Sequence, residues 1–149
     1  MAVVRQPGRA LGVDLGSVRI GLALSDPTRT VASPYEVVTR AADHVTDHRV
    51  ILEAARANGV TTIVVGLPRS LSGAMGPAAR AAEDEIAELR AVAGPDVEVV
   101  AHDERLTTVT AERALDEARV DRRTRKTVVD KIAAAVMLQS WLESRVSSR

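Results

Sequence analysis

Apolar positions change their period along this chain, and the changes predict its elements. Residues 9 to 15, Arg-Ala-Leu-Gly-Val-Asp-Leu, read as a strand ending at Gly16-Ser17. A second strand, Arg19 to Leu24, follows after so short a gap that the two form a hairpin. Ser25-Asp26-Pro27 is a turn, and Thr30 to Val38 is a third extended stretch that Pro34 makes irregular or restricts to a sheet edge. The period then becomes helical. Val45, Ile51, Leu52 and Ala55 recur at helical intervals between Asp43 and Asn58, and Asn58-Gly59 supplies the stop. Val60 to Val65 is a continuous run typical of a strand buried on both faces, ending in Gly66-Leu67-Pro68. A Ser- and Gly-containing loop, Arg69 to Gly76, leads to an Ala-rich helix over Pro77 to Val92, broken by Gly94-Pro95. Val97 to His102 is another strand. Thr107 or Thr108 can cap a helix carrying Glu112 and Leu115. A basic link over Asp121 to Lys126 precedes a last helix, Thr127 to Ser144, with Ile132, Val136, Leu138 and Leu142 at its apolar positions.

The order β-β-β-α-β-α-β-α-α predicts an α/β fold: a mixed five-stranded sheet, its first three strands antiparallel, with helices on both faces. No linker divides the 149 residues, so one domain over residues 9 to 146 is expected, with residues 1–8 and 147–149 as tails. No apolar run reaches the roughly 18 residues of a membrane-spanning helix. The absence of Cys excludes a disulfide scaffold and a thiolate metal site and agrees with a cytoplasmic setting.

Charge adds less. The 20 Lys and Arg balance 20 Asp and Glu, so no global argument for nucleic acid exists. All but Lys126 and Lys131 of the cations are Arg, the side chain suited to bidentate phosphate contacts. With no Phe, one Tyr and one Trp, recognition by base stacking is disfavoured.

Three places carry candidate chemistry. Asp14 sits near the end of an apolar strand, where a lone buried carboxylate costs several kcal/mol and so must be at the sheet boundary or partnered. Gly16 beside it permits close backbone approach; a simple turn cap paired with Arg19 is the plainer alternative. His102-Asp103-Glu104-Arg105 follows a strand, and open sheets bind ligands at the C-terminal ends of their strands. Adjacent residues there point to opposite sides, so Asp103 and Glu104 are not equivalent; a solvated loop is the alternative. Asp130 shares a helical stripe with Ala133, Ala134 and Met137, where an acid needs an Arg or a metal ion, unless it serves only the helix terminus. Three carboxylates from two strand ends and a helix suit a hard cation such as Mg²⁺, and two such ions suit phosphodiester hydrolysis. His102 reads as a strand-end packing or hydrogen-bonding residue. His44 and His48, an i, i+4 pair beside Asp43 and Asp47, allow a zinc site but fit a surface face better.

Leu11-Gly12-Val13-Asp14-Leu15-Gly16-Ser17-Val18-Arg19-Ile20-Gly21, then Gly66-Leu67-Pro68 with Gly73, then Asp103-Glu104-Arg105-Leu106-Thr107-Thr108, then Asp130-Lys131-Ile132-Ala133-Ala134 with Leu138-Gln139 resemble, in this order, the YqgF (RuvX) family. The resemblance covers about Arg9 to Leu142. It implies an RNase H-like fold related to the RuvC resolvases, and a Mg²⁺- or Mn²⁺-dependent nuclease acting on precursor 16S rRNA, with four-way DNA junctions or binding without cleavage as alternatives. It implies Asp14 as the first-strand catalytic acid and Asp130 as the last-helix acid. RuvC-like relatives carry the middle acid at the end of the fourth strand, where this chain has Gly66-Leu67-Pro68. The pair after the fifth strand takes its place, with Glu104 expected as the ligand and Asp103 as the alternative. Arg19, Arg69, Arg105, Thr107, Thr108 and Lys131 become candidates for nucleic-acid contacts, and Arg122 to Lys126 for a wider basic footprint. A ribosomal precursor particle is an expected partner, with the protein itself a monomer or homodimer.

Overall fold

The computed structural model describes residues 8–68, 76–103 and 122–147, with side chains of the last segment from 131 to 145. Its strands are β1 (Arg9–Leu15), β2 (Arg19–Ser25), β3 (Ala32–Thr39), β4 (Val60–Leu67) and β5 (Glu98–Asp103), and its helices are α1 (His44–Ala57), α2 (Pro77–Ala93) and α3 (Arg122–Ser147). The sheet order is β3-β2-β1-β4-β5, with β1, β2 and β3 antiparallel in sequence and β4 and β5 parallel to β1. The predicted mixed five-stranded sheet is therefore present, and Asp14 lies on its central strand.

Alternation along the strands assigns the two faces. Leu11, Val13, Ile63, Val65 and Val99 belong to one core with α1 and α2, through Ile51, Leu52, Ile86 and Leu89. Ala10, Ala23 and Val64 belong to a second core with Ala134, Met137, Leu138 and Trp141 of α3. Burial on both sides explains the β-branched run Ile63-Val64-Val65 in β4. The sheet side of the α3 layer is built from small residues, and Gly12 shows why: a Cβ there would lie 2.8 Å from Leu138 Cβ and 3.1 Å from the Ala134 carbonyl oxygen.

At the edge, β3 is largely exposed. Its register to β2 shifts between Leu22 and Ala23, which pair with Glu36 and Pro34, leaving Tyr35 as the extra residue of a bulge. Pro34 thus sits where a missing ladder N–H is tolerated, as expected. The helix predicted from Thr127 begins at Arg122 instead. Arg and Lys are good helix formers, so the basic segment read as a link is the first part of α3. The expected helix after Thr107 or Thr108 lies outside the described residues.

Candidate active site

Asp14 is the second-last residue of β1 and is half-buried. Gly12, two residues before it, faces α3, so strand alternation puts Asp14 on the α3 face as well. Its Cα partner on β2 is Gly21. On the other side, Val13 pairs with Val65, which brings Gly66 level with Asp14, and Gly66 in turn pairs with His102. The carboxylate is thus flanked across both strands by residues without side chains. The sequence run Gly-Val-Asp-Leu-Gly and the later Gly66 acquire a shared purpose: they leave room around one acid.

The direction of α3 follows from contacts at its other end. Arg29 donates from Nε to the Gly8 carbonyl at 2.8 Å and from Nη2 to Thr62 Oγ1 at 2.8 Å, and its guanidinium lies 5.7 Å from the Trp141 ring. Trp141 therefore stands near the start of β1, Ala134 and Leu138 stand at Gly12, and α3 runs antiparallel to β1. Its earlier turns, which include Asp130, run toward the end of the strand where Asp14 lies. The side chain of Asp130 is outside the described set. Arg19 opens β2 two residues before Gly21 and shares its face. Lys131, half-buried, directly follows Asp130 on α3.

β5 separates the two adjacent candidates. His102 lies on the α3 side, with Nε2 3.1 Å from Ser140 Oγ, while Asp103 lines a cavity on the α2 side with Leu67, Ile86, Arg90 and Ala101. Asp103 and Asp14 therefore occupy opposite faces of the sheet. Burial pushes the His102 ring below its ordinary pKa, partly opposed by the Asp103 charge. The expected hydrogen-bonding part for His102 is what its geometry gives. Glu104, Arg69, Arg105, Thr107 and Thr108 lie outside the described residues. Among the described residues, no group of three His, Cys, Asp or Glu is disposed to hold a metal ion.

The α1 histidines correct one expectation. His48 and Asp47 are buried, not part of a surface face, and among the described residues no group of three His, Cys, Asp or Glu disposed to hold a metal ion includes them. They join a cluster around Arg40, the residue after β3. Arg40 donates from Nη1 to Glu85 Oε1 at 2.8 Å and from Nη2 to Glu85 Oε2 at 2.7 Å, and from Nη1 to Asp47 Oδ2 at 3.2 Å. Asp47 Oδ1 accepts from the Ala41 N–H at 2.8 Å, and His48 Nε2 lies 2.9 Å from Glu85 Oε1. His44 Nδ1 lies 3.0 Å from Glu88 Oε2 nearer the solvent. Burial raises the Glu85 pKa, but the hydrogen bonds from Arg40 and His48 outweigh it and hold the group below its ordinary value. Glu85 hydrogen bonding likewise raises the Arg40 pKa, against its desolvation.

Arg40 also reaches the end of the sheet where Asp14 lies. Its Nε donates to the Gly16 carbonyl at 2.9 Å, and its backbone N–H donates to the Val18 carbonyl at 2.9 Å. Sequence reasoning missed Arg40, because nothing within its own segment distinguishes it from the chain's exposed arginines.

Comparison with known proteins gives the family and the fold. A curated relative from Mycobacteroides abscessus, named "Putative pre-16S rRNA nuclease", is 46% identical over 93% of this chain and 82% of its own. A relative of the same name from Roseiflexus sp. is 41% identical over 94% of this chain and 97% of its own. Among solved structures, Thermus thermophilus RuvC in complex with a Holliday junction substrate matches with a TM-score of 0.59 at 17% identity, covering 95% of this chain and 97% of that one. The fowlpox virus resolvase bound to junction DNA matches with a TM-score of 0.53 at 13% identity, over 93% and 99%. These two likenesses establish the RuvC-like, RNase H-type fold. The model of the RuvX family, described as Holliday junction resolvase, matches residues 8–144, and the chain belongs to that family.

Proposed function

We propose that this chain is a metal-dependent nuclease that hydrolyses phosphodiester bonds in precursor 16S rRNA, with Asp14, Glu104 and Asp130 as its catalytic carboxylates. The observation that carries the reading is Asp14 itself, an acid at the C-terminal end of the central strand, flanked by glycines and faced by the helix that carries Asp130. The names of the curated relatives supply the substrate. Glu104 is preferred over Asp103 because Asp103 stands on the far side of the sheet from Asp14.

An all-carboxylate donor set fits a hard cation, and Mg²⁺ or Mn²⁺ held by Asp14, Glu104 and Asp130 would supply Lewis-acid polarisation and neutralise charge on the phosphate. The protein's own contribution is positioning. The glycines beside Asp14 admit a phosphate to the strand end. Arg19 and Lys131 on the α3 side, with Arg69, Arg105 and the hydroxyls of Thr107 and Thr108, hold the backbone of the substrate. The segment Arg122 to Lys126 extends that basic footprint along α3. Few aromatics leave recognition to phosphate and shape, so a ribosomal precursor particle is the natural source of further specificity. The enzyme acts as one nuclease domain over residues 9–146 in the cytoplasm, as a monomer or homodimer. Among the described residues, no helix is long and apolar enough to cross a membrane.

The deciding experiment compares cleavage of a 5′-extended 16S rRNA fragment and a four-way DNA junction, with Mg²⁺ or Mn²⁺, by the wild type and Asp14→Asn. Loss of RNA cleavage in a folded Asp14→Asn protein is expected. Full activity of that variant overturns the assignment. The RuvC-like fold favours junction resolution as the second reading, and preferential cutting of the junction would select it. Salt-sensitive RNA binding by a wild type that cuts neither substrate would select a binding factor.

A further inference from the structure

We propose that Arg40 is a positioning residue for hydrolysis, holding the turn after Asp14 so that Asp14 and Arg19 face the substrate together. The proposal rests on the reading of Asp14 as a catalytic acid. The turn Gly16-Ser17-Val18 is the short connection between β1 and β2, and Arg40 grips it twice, at the Gly16 and Val18 carbonyls, each at 2.9 Å. The Gly16 N–H donates back to the Asp14 carbonyl at 3.1 Å. The turn is tight as well: a Cβ on Gly16 would lie 2.5 Å from the Arg19 carbonyl oxygen. Any shift of the Gly16 carbonyl is therefore passed to Asp14 on one side and to Arg19 on the other.

The other half of the guanidinium is locked. Both Glu85 carboxylate oxygens accept from it in a fork, Asp47 adds a third bond, and His48 and the Ala41 N–H hold those carboxylates in turn. Glu85, Asp47 and His48 are 4%, 2% and 3% exposed. Ionic clusters this deep return little net stability, because desolvation cancels most of the attraction. What they do supply is direction: a bidentate Arg–carboxylate pair fixes the plane of the guanidinium, and with it the vector of Nε. The arrangement is thus a rigid bracket running from α1 and α2, on one face of the sheet, to the strand end that carries Asp14.

The test measures cleavage of the 5′-extended 16S rRNA fragment by Arg40→Ala, Arg40→Lys and Asp14→Asn across a Mn²⁺ titration, together with metal-free RNA binding and thermal melts. Arg40→Ala is expected to lose kcat by about tenfold or more, to need more Mn²⁺ for half-maximal rate, and, with Arg19 released from its place, to bind RNA more weakly than the wild type. Added methylguanidinium at millimolar concentration is expected to restore part of the rate. A purely structural Arg40 would lower the melting temperature alone, with kcat and the Mn²⁺ midpoint unchanged well below the melt, and that result overturns the proposal. Should Arg40→Ala fail to fold, Arg40→Lys, which keeps the charge and loses the fork, is read by the same two quantities and the same criterion. Inactive Asp14→Asn beside fully active Arg40→Lys with an unshifted Mn²⁺ midpoint refutes the bracket alone. Active Asp14→Asn, or a wild type that does not cleave, removes the foundation and the bracket with it.

Discussion

Asp14 and Asp103 end neighbouring regions of one sheet yet face away from each other, Asp14 toward α3 and Asp103 into a cavity beside α2. The two acids stand two strands apart, on β1 and β5 with β4 between them, and present their carboxylates to opposite faces.

Asp103→Asn is therefore expected to retain most of the wild-type cleavage rate, while Glu104→Gln loses about a hundredfold or more, exceeding the roughly 10–100-fold lost when only a group supporting a metal ligand is removed. Rates measured side by side at saturating Mg²⁺ decide this. The reverse ranking would make Asp103 the middle acid and require β5 to rotate.

Gly12→Ala places a methyl 2.8 Å from Leu138 Cβ and 3.1 Å from the Ala134 carbonyl, with no flexible side-chain end to yield. Overpacking of this kind costs about 1–3 kcal/mol. Urea unfolding should show the midpoint fall with an unchanged slope, and an unaltered midpoint would mean that α3 can move away freely.

Glu85→Ala leaves the Arg40 guanidinium without its bidentate partner, keeping its bonds to Asp47 and to the Gly16 carbonyl. Breaking a buried pair from one side costs about 3 kcal/mol or more. The pKa of Glu85 is depressed on folding, so its contribution is whole above its ordinary value of 4.5 and disappears as the pH falls through the folded one. The stability gap between wild type and Glu85→Ala should accordingly narrow on acidification below that value. A gap independent of pH would show that packing, not ionisation, is what Glu85 contributes.

Asp26, in the turn after β2, offers a control on the same logic. The Thr28 hydroxyl, followed by the Val31 and Thr30 N–H groups, holds its carboxyl down at about 2 from an ordinary 3.8. The stabilisation of this turn is complete above the ordinary value and is lost as the pH falls toward 2. Carboxyl NMR of Asp26 should titrate at about 2, and a midpoint near 4 would show the turn to be open in solution.

Local pattern made the sheet legible. The β4 run, the short β1–β2 gap and Pro34 each reflect constraints acting within a few residues, and each matches the structure. The start of α3 did not follow from pattern, because charge density in Arg122 to Lys126 resembles a solvated link while helix propensity favours a helix. The Asp14 site was half legible: the acid and its glycines stand together in sequence, but the Gly66 neighbour and the opposed face of Asp103 depend on strand order and register. The Arg40 cluster was illegible in principle, since Glu85 lies 45 residues from Arg40 and only α2 packing unites them. The same packing turned His48 and Asp47 from an ordinary polar helix face into buried groups.

Trp141 is the only tryptophan in a chain with one tyrosine and no phenylalanine. It is buried against the sheet with Arg145 4.9 Å and Arg29 5.7 Å from its ring. Aromatic scarcity thus gives the protein a native optical probe. Light emitted by this single indole reports whether the far end of α3 is seated, and any disturbance that travels down the helix from the end nearer Asp14 becomes visible without a dye or an engineered label.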